Sequence, residues 1–75
     1  MEGSFVVNQM VLSSEIEWIG YEHKNRMLQV EFIEGQTYQY QNVPETVYEE
    51  FLGADSHCGY FDLQIKGRYA YRRIR

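Results

Sequence analysis

The chain has 75 residues, a single cysteine and a formal net charge of −4. A chain of this length makes one domain that buries only about 60% of its unfolded surface, and one cysteine excludes the disulfide-stapled scaffolds of small secreted proteins. Seven tyrosines, four phenylalanines and one tryptophan make up 16% of the residues, large rings that offset the thinness of such a core.

The first 13 residues hold two apolar triplets, Phe5-Val6-Val7 and Met10-Val11-Leu12, split by Asn8-Gln9 and preceded by no basic residue. That is not a secretion signal, and no apolar run reaches the roughly 20 residues that span a bilayer. A soluble, cytoplasmic protein without a membrane partner is expected. The N-terminal extension is left open between an edge strand, a clasp and a disordered lead. From Ser14 to His23, Ile16, Trp18, Ile19 and Tyr21 favour a strand. Their parity changes between Trp18 and Ile19, which suggests a bulge or burial on both faces. His23-Lys24-Asn25-Arg26 turns the chain, and Leu28, Val30 and Phe32 then alternate with Gln29 and Glu31 as in a strand with one wet face.

Tyr38 and Tyr40 form the third strand, and the preceding turn decides which face they take. A two-residue loop at Glu34-Gly35 would turn both rings to the wet side. A three-residue loop, Ile33-Glu34-Gly35, pairs Phe32 with Gln36, Val30 with Tyr38 and Leu28 with Tyr40, and lines the core with them. The second geometry is favoured, because glycine suits the last loop position and the apolar faces then coincide.

Pro44 ends the sheet and opens a helix from about Pro44 to Leu52. Val47-Tyr48 and Phe51-Leu52 form its apolar stripe, and Glu45, Glu49 and Glu50 its wet face. Gly53 stops it, and Ser56 caps a second short helix that carries Tyr60, Phe61 and Ile65 inward. After Gly67 the segment from Arg68 to Ile74 alternates and is extended. The expected fold is a single α+β domain over residues 1–75, a three-stranded antiparallel meander followed by two short helices and a C-terminal extended segment (β-β-β-α-α-β). Its core is expected to hold Leu28, Val30, Phe32, Tyr38, Tyr40, Val47, Phe61 and Ile65.

Catalytic chemistry is sparse. Adjacent His57 and Cys58 lack the geometry of a nucleophile with its base, and His23 and His57 read as solvated turn residues. Two histidines and one cysteine give no metal-ligand spacing. Glycine-rich phosphate loops, HExxH and GxSxG are absent, and so small a core leaves little room for a deep pocket. No enzyme activity, cofactor, metal or small-molecule substrate is expected.

Charge is the other informative feature. Residues 1–65 hold all eleven acids against Lys24 and Arg26, a net of −9, whereas residues 66–75 hold five bases and no acid, a net of +5. Such a tail makes either a local anion-binding patch or a strap across the acidic body.

The order of several short motifs resembles the KTSC domain family. They are Ser14-x-Ile16, Ile19-Gly20-Tyr21, Leu28-x-Val30-x-Phe32 with Gly35, Tyr38-x-Tyr40, Val43-Pro44, Val47-Tyr48, Ala54-x-Ser56, Tyr60-Phe61, Ile65 and Tyr69. The resemblance covers residues 14–75 and leaves 1–13 outside. Cys58 stands where the family usually has glycine, with Gly59 one step later, and Ala70 where it often has proline. The resemblance implies a module found at the C-terminus of some lysyl-tRNA synthetases and as a stand-alone bacterial or phage protein. It implies no catalytic residues and suggests RNA as a partner. RNA binding would use Lys66, Arg68, Arg72, Arg73 and Arg75 for phosphates and Tyr69 or Tyr71 for stacking. The alternative is a protein interaction module or homodimeric adaptor using a sheet edge, the Phe5-Val6-Val7 segment or exposed aromatics.

Overall fold

A computed structural model describes residues 7–11 and 13–75. The cleanly alternating segment around Val30 becomes strand β3 (Met27–Phe32), the middle of a five-stranded sheet. Strand β2 (Ile16–Glu22) lies on one side of it and β4 (Thr37–Tyr40) on the other. Strand β1 (Val7–Met10) borders β2, β5 (Tyr71–Arg73) borders β4, and every neighbouring pair is antiparallel.

The α+β class stands, and the expected three-stranded sheet is corrected to five strands. Both additions come from the chain ends. Asn8-Gln9 interrupts apolar alternation, yet an edge strand needs only backbone pairing, and Asn8 pairs with Gly20 and Gln9 with Ile19. The C-terminal segment is not merely extended: Tyr71, Arg72 and Arg73 pair with Tyr40, Gln39 and Tyr38. Phe5, Val6 and Leu12 lie outside the described residues.

The β3–β4 connection has the three-residue form. Gly35 sits at φ +112°, its N–H donates to the Phe32 carbonyl at 2.9 Å, and the Phe32 N–H donates to the Gln36 carbonyl at 2.8 Å. Val30 therefore pairs with Tyr38 and Leu28 with Tyr40. In β2 the bulge falls at Glu17, between Ile16, paired with Phe32, and Trp18, paired with Glu31. The parity change thus precedes Trp18 instead of following it. Ile16, Ile19 and Tyr21 share the core face, and Trp18 joins Glu31 on the other.

Pro44, at φ −62° and ψ 148°, is the residue before helix α1 (Glu45–Leu52), so the helix starts one position later than expected. Tyr48 and Phe51 are buried, while Glu45, Glu49 and Glu50 are exposed. The Ser56 hydroxyl accepts the Gly59 N–H at 3.0 Å and caps α2 (His57–Tyr60). The chain continues as a π-helical segment from Phe61 to Ile65, closed by the Lys66 N–H to the Phe61 carbonyl at 2.8 Å. Phe61 and Ile65, nearly one wide turn apart, are both buried.

The helices cover one face of the sheet. Of the expected core residues, Leu28, Val30, Tyr40, Phe61 and Ile65 are buried in it, and Phe32, Tyr38 and Val47 are only partly buried against it. Ile16, Ile19, Tyr21, Val43, Tyr48 and Phe51 complete the cluster. Tyr21 ties sheet to helix: its ring stacks on Tyr48 with centroids 4.8 Å apart, and its hydroxyl donates to the buried Val43 carbonyl, just before α1. Replacing Tyr21 by Phe keeps the ring and orphans that carbonyl, so Tyr21→Phe is expected to cost about 1–3 kcal/mol in urea unfolding. Gly35→Ala, which places a Cβ at positive φ, should cost more than about 1 kcal/mol. Unchanged midpoints would contradict both assignments.

Candidate nucleic-acid interface

Strand alternation distributes the C-terminal residues over two faces. Tyr71 and Arg73 pair with Tyr40 and Tyr38 and share the helix-covered face, whereas Arg72 pairs with Gln39 on the opposite one. On that opposite face Arg72 donates to the Gln39 side chain at 3.5 Å, and Gln39 in turn donates to Gln29 at 3.1 Å.

The helices do not reach the β4–β5 edge, and there the sheet carries a wall of rings. Tyr71 stacks against Tyr38 with centroids 5.6 Å apart and leans on Tyr40 at 5.4 Å. Tyr38 and Tyr40 lie nearly parallel at 6.4 Å. Phe32 and Phe61 meet this wall edge-on, Phe32 to Tyr38 at 5.8 Å and Phe61 to Tyr40 at 5.7 Å. Tyr40 is buried and Tyr38 half-buried, but Tyr71 is 58% exposed. Between this wall and the Lys66-Gly67 turn lies a cleft of about 230 Å³. A larger hollow of about 510 Å³ shares Phe32 and Tyr38 but carries Glu15 and Glu34 at its rim.

The five basic residues do not converge on a single patch. Lys66 is exposed and lines the cleft, and Arg73 shares the face of Tyr71, with its Nε donating to the Arg75 carbonyl at 3.2 Å. The Arg68 guanidinium donates to the Leu63 carbonyl at 2.9 Å, which holds it against the end of the π-helical segment. Arg75 straps across the opposite face: its guanidinium reaches Glu31 at 2.8 Å, and its backbone carbonyl accepts the Thr37 N–H at 2.8 Å. Thr37 is buried beneath this crossing, 2% exposed, and its hydroxyl has no hydrogen-bond partner among the described residues. The tail is thus split between an open patch and a strap.

Tyr69 is partly buried against the core, which makes it a packing residue. Tyr38 and Phe32, expected in the core, belong equally to the wall. In the sequence only Tyr38 and Tyr40 share parity, and Tyr71 joins their face through the pairing of β5 with β4. His57 is not a solvated turn residue: it is partly buried, with Nε2 3.1 Å from the Leu52 carbonyl. Cys58 lies half-buried with Sγ 3.0 Å from the Ser13 hydroxyl. His23 is exposed, 3.6 Å from Glu45. Among the described residues no group of three or more His, Cys, Asp or Glu side chains could hold a metal, and no helix is long and apolar enough to cross a membrane.

The KTSC domain family model matches residues 12–69. Among solved structures, the crystal structure of a KTSC domain protein from Yersinia pestis superposes with a TM-score of 0.89 and 43% identity, covering 95% of this chain and 100% of that one. An uncharacterised protein of Stutzerimonas stutzeri is 38% identical over 63 residues, 83% of this chain and 89% of its own length. A lysine–tRNA ligase of Nostoc punctiforme is 34% identical over 61 residues, which is 81% of this chain but only 11% of the ligase.

Burial in the wall, and next the neighbouring Tyr38 and Tyr71 phenols, push the Tyr40 hydroxyl up to about 12 from an ordinary 10.0. Tyr60 rises equally, chiefly by burial and then through its hydrogen bond to Glu50 at 2.8 Å. Raised folded-state values mean that this share of stability is complete below pH 10 and is lost as pH climbs through about 12. An ultraviolet titration should therefore show late-ionising tyrosines whose ionisation coincides with loss of the fold. If all seven tyrosines ionise together near 10.0 while the protein stays folded, the packing of Tyr40 and Tyr60 is wrong. Independently, Thr37→Val removes a buried hydroxyl that has no partner among the described residues, and should leave stability unchanged or slightly raised.

Proposed function

The chain belongs to the KTSC domain family, and on that premise we propose that it is a small, non-enzymatic, cytoplasmic RNA-binding module. Its contact surface is the β4–β5 edge, where Lys66 and Arg73 take phosphates beside Tyr71. The observation that carries this reading is the exposed ring of Tyr71 on the same face as Arg73 and across the cleft from Lys66. The match to a segment of a lysine–tRNA ligase, about a tenth of that protein, adds support for an RNA partner.

Arg68 is held by the Leu63 carbonyl, Arg72 lies on the opposite face beside Gln39, and Arg75 is engaged by Glu31, so none of the three is assigned to the contact. The remaining chain, with a net of −9 over residues 1–65, repels a long polyanion and confines contact to a few phosphates. Binding is accordingly modest and sensitive to salt. A second reading, self-association along the outer edge of β1, is favoured by Met10, which is 62% exposed at the end of that strand. Light scattering that gives a monomer contradicts it.

Titration of labelled tRNA and of a short single-stranded RNA at two salt concentrations tests the RNA reading. The affinity should fall as salt rises, with a logarithmic slope of about −0.7 per phosphate contacted on a single strand. The double variant Lys66→Ala/Arg73→Ala should bind more weakly than Arg75→Ala, because only the latter removes a cation already paired. Absence of binding at low salt, or equal effects of the two variants, would contradict the assignment.

A further inference from the structure

We propose that the cleft between Tyr71 and the Lys66-Gly67 turn receives one unpaired nucleobase, so that the RNA ligand is single-stranded at that point. The inference rests on the RNA-binding reading above and narrows it to a class of RNA.

Three properties of the cleft define its occupant. Its walls are aromatic, formed by Phe32, Tyr38, Tyr40, Phe61 and Tyr71. Its one charged lining residue is the exposed Lys66, and Arg73 lies on the same face beyond Tyr71. A flat ring attached to negative charge on both sides satisfies all of these, which describes a nucleotide within a strand. The carboxylates of Glu15 and Glu34 stand at the neighbouring hollow and reject phosphate there, which directs the occupant to the smaller cleft.

Tyr71 is also held ready. Its ring is stacked against Tyr38 and Tyr40 before any ligand arrives, so little rotamer freedom remains to be lost on binding. Gly67, at φ +80°, has open space where a Cβ would stand, so the far side of the mouth is uncrowded. A paired base cannot enter. In an A-form duplex the bases are stacked inside and the major groove is too narrow for side chains, so a recess of this kind is served by loops, bulges and single strands.

Fluorescence anisotropy with a short labelled single-stranded RNA and a blunt-ended, fully paired RNA duplex without a loop, both at low salt, tests this. The single strand should bind at least about tenfold more tightly than the duplex. Tyr71→Leu should weaken it by about five- to a hundredfold, and Tyr71→Phe should retain most of the affinity. Because a change in β5 can loosen the edge, a second readout uses wild-type protein: an RNA carrying a single 2-aminopurine should lose fluorescence as that base stacks. Equal binding of strand and duplex, wild-type affinity in a folded Tyr71→Leu, or unaltered 2-aminopurine emission at saturation overturns the base cleft and leaves the RNA reading standing. No binding of either RNA by the wild type overturns both.

Discussion

The turn at Gly35 decides where every ring in the second half of the sheet points. Its positive φ lets three residues close the hairpin, and the two hydrogen bonds between Phe32, Gly35 and Gln36 hold that count. Side chains alternate along a strand, so a loop one residue shorter would send Tyr38 and Tyr40 to the opposite face. The register propagates further: β5 pairs with β4, so the face of Tyr71 and Arg73 is inherited from the same turn. Phe61 then has Tyr40 to pack against, which seats the π-helical segment and places Lys66 across from Tyr71.

Much of this was readable from residues whose neighbours in sequence are also their neighbours in space. The β3 alternation, the glycine at the third loop position, the apolar stripe of α1 and the Ser56 cap are local features with local causes. What escaped was decided by partners far along the chain. Asn8-Gln9 looks unlike a strand because β1 gains stability from the β2 backbone and not from an apolar face of its own. The bulge at Glu17 was displaced by one residue because the pairing of Ile16 with Phe32 governs it, not the composition of β2. Similarly, the five C-terminal cations look like one patch until β5 alternation and the Glu31 carboxylate separate them.

The candidate site follows from an unequal division of labour within a thin core. Five strands outrun what two short helices can cover, so the uncovered end of the core face becomes a surface. Tyr40 is sealed by Phe61, Tyr38 is half-covered, and Tyr71 is open, a gradient from structural to available ring along one row. Stacked tyrosines at an edge need no helix above them, since each ring covers part of the next. The arginine strap serves the other side of the sheet. Arg75 crosses over the buried Thr37 and pairs with Glu31 there, away from the patch. Aromatic availability and charge thus meet only at the β4–β5 edge, which is why the proposed contact is small.

The most direct test is a chemical-shift map of the isotope-labelled protein titrated with a short single-stranded RNA. The account predicts that the perturbed resonances cluster at Lys66, Gly67, Tyr71 and Arg73 and the Tyr38 ring, with Trp18, Gln29 and Gln39 on the opposite face unmoved. Perturbations centred on that opposite face or on β1, or a spectrum that RNA leaves unchanged at low salt, would contradict it.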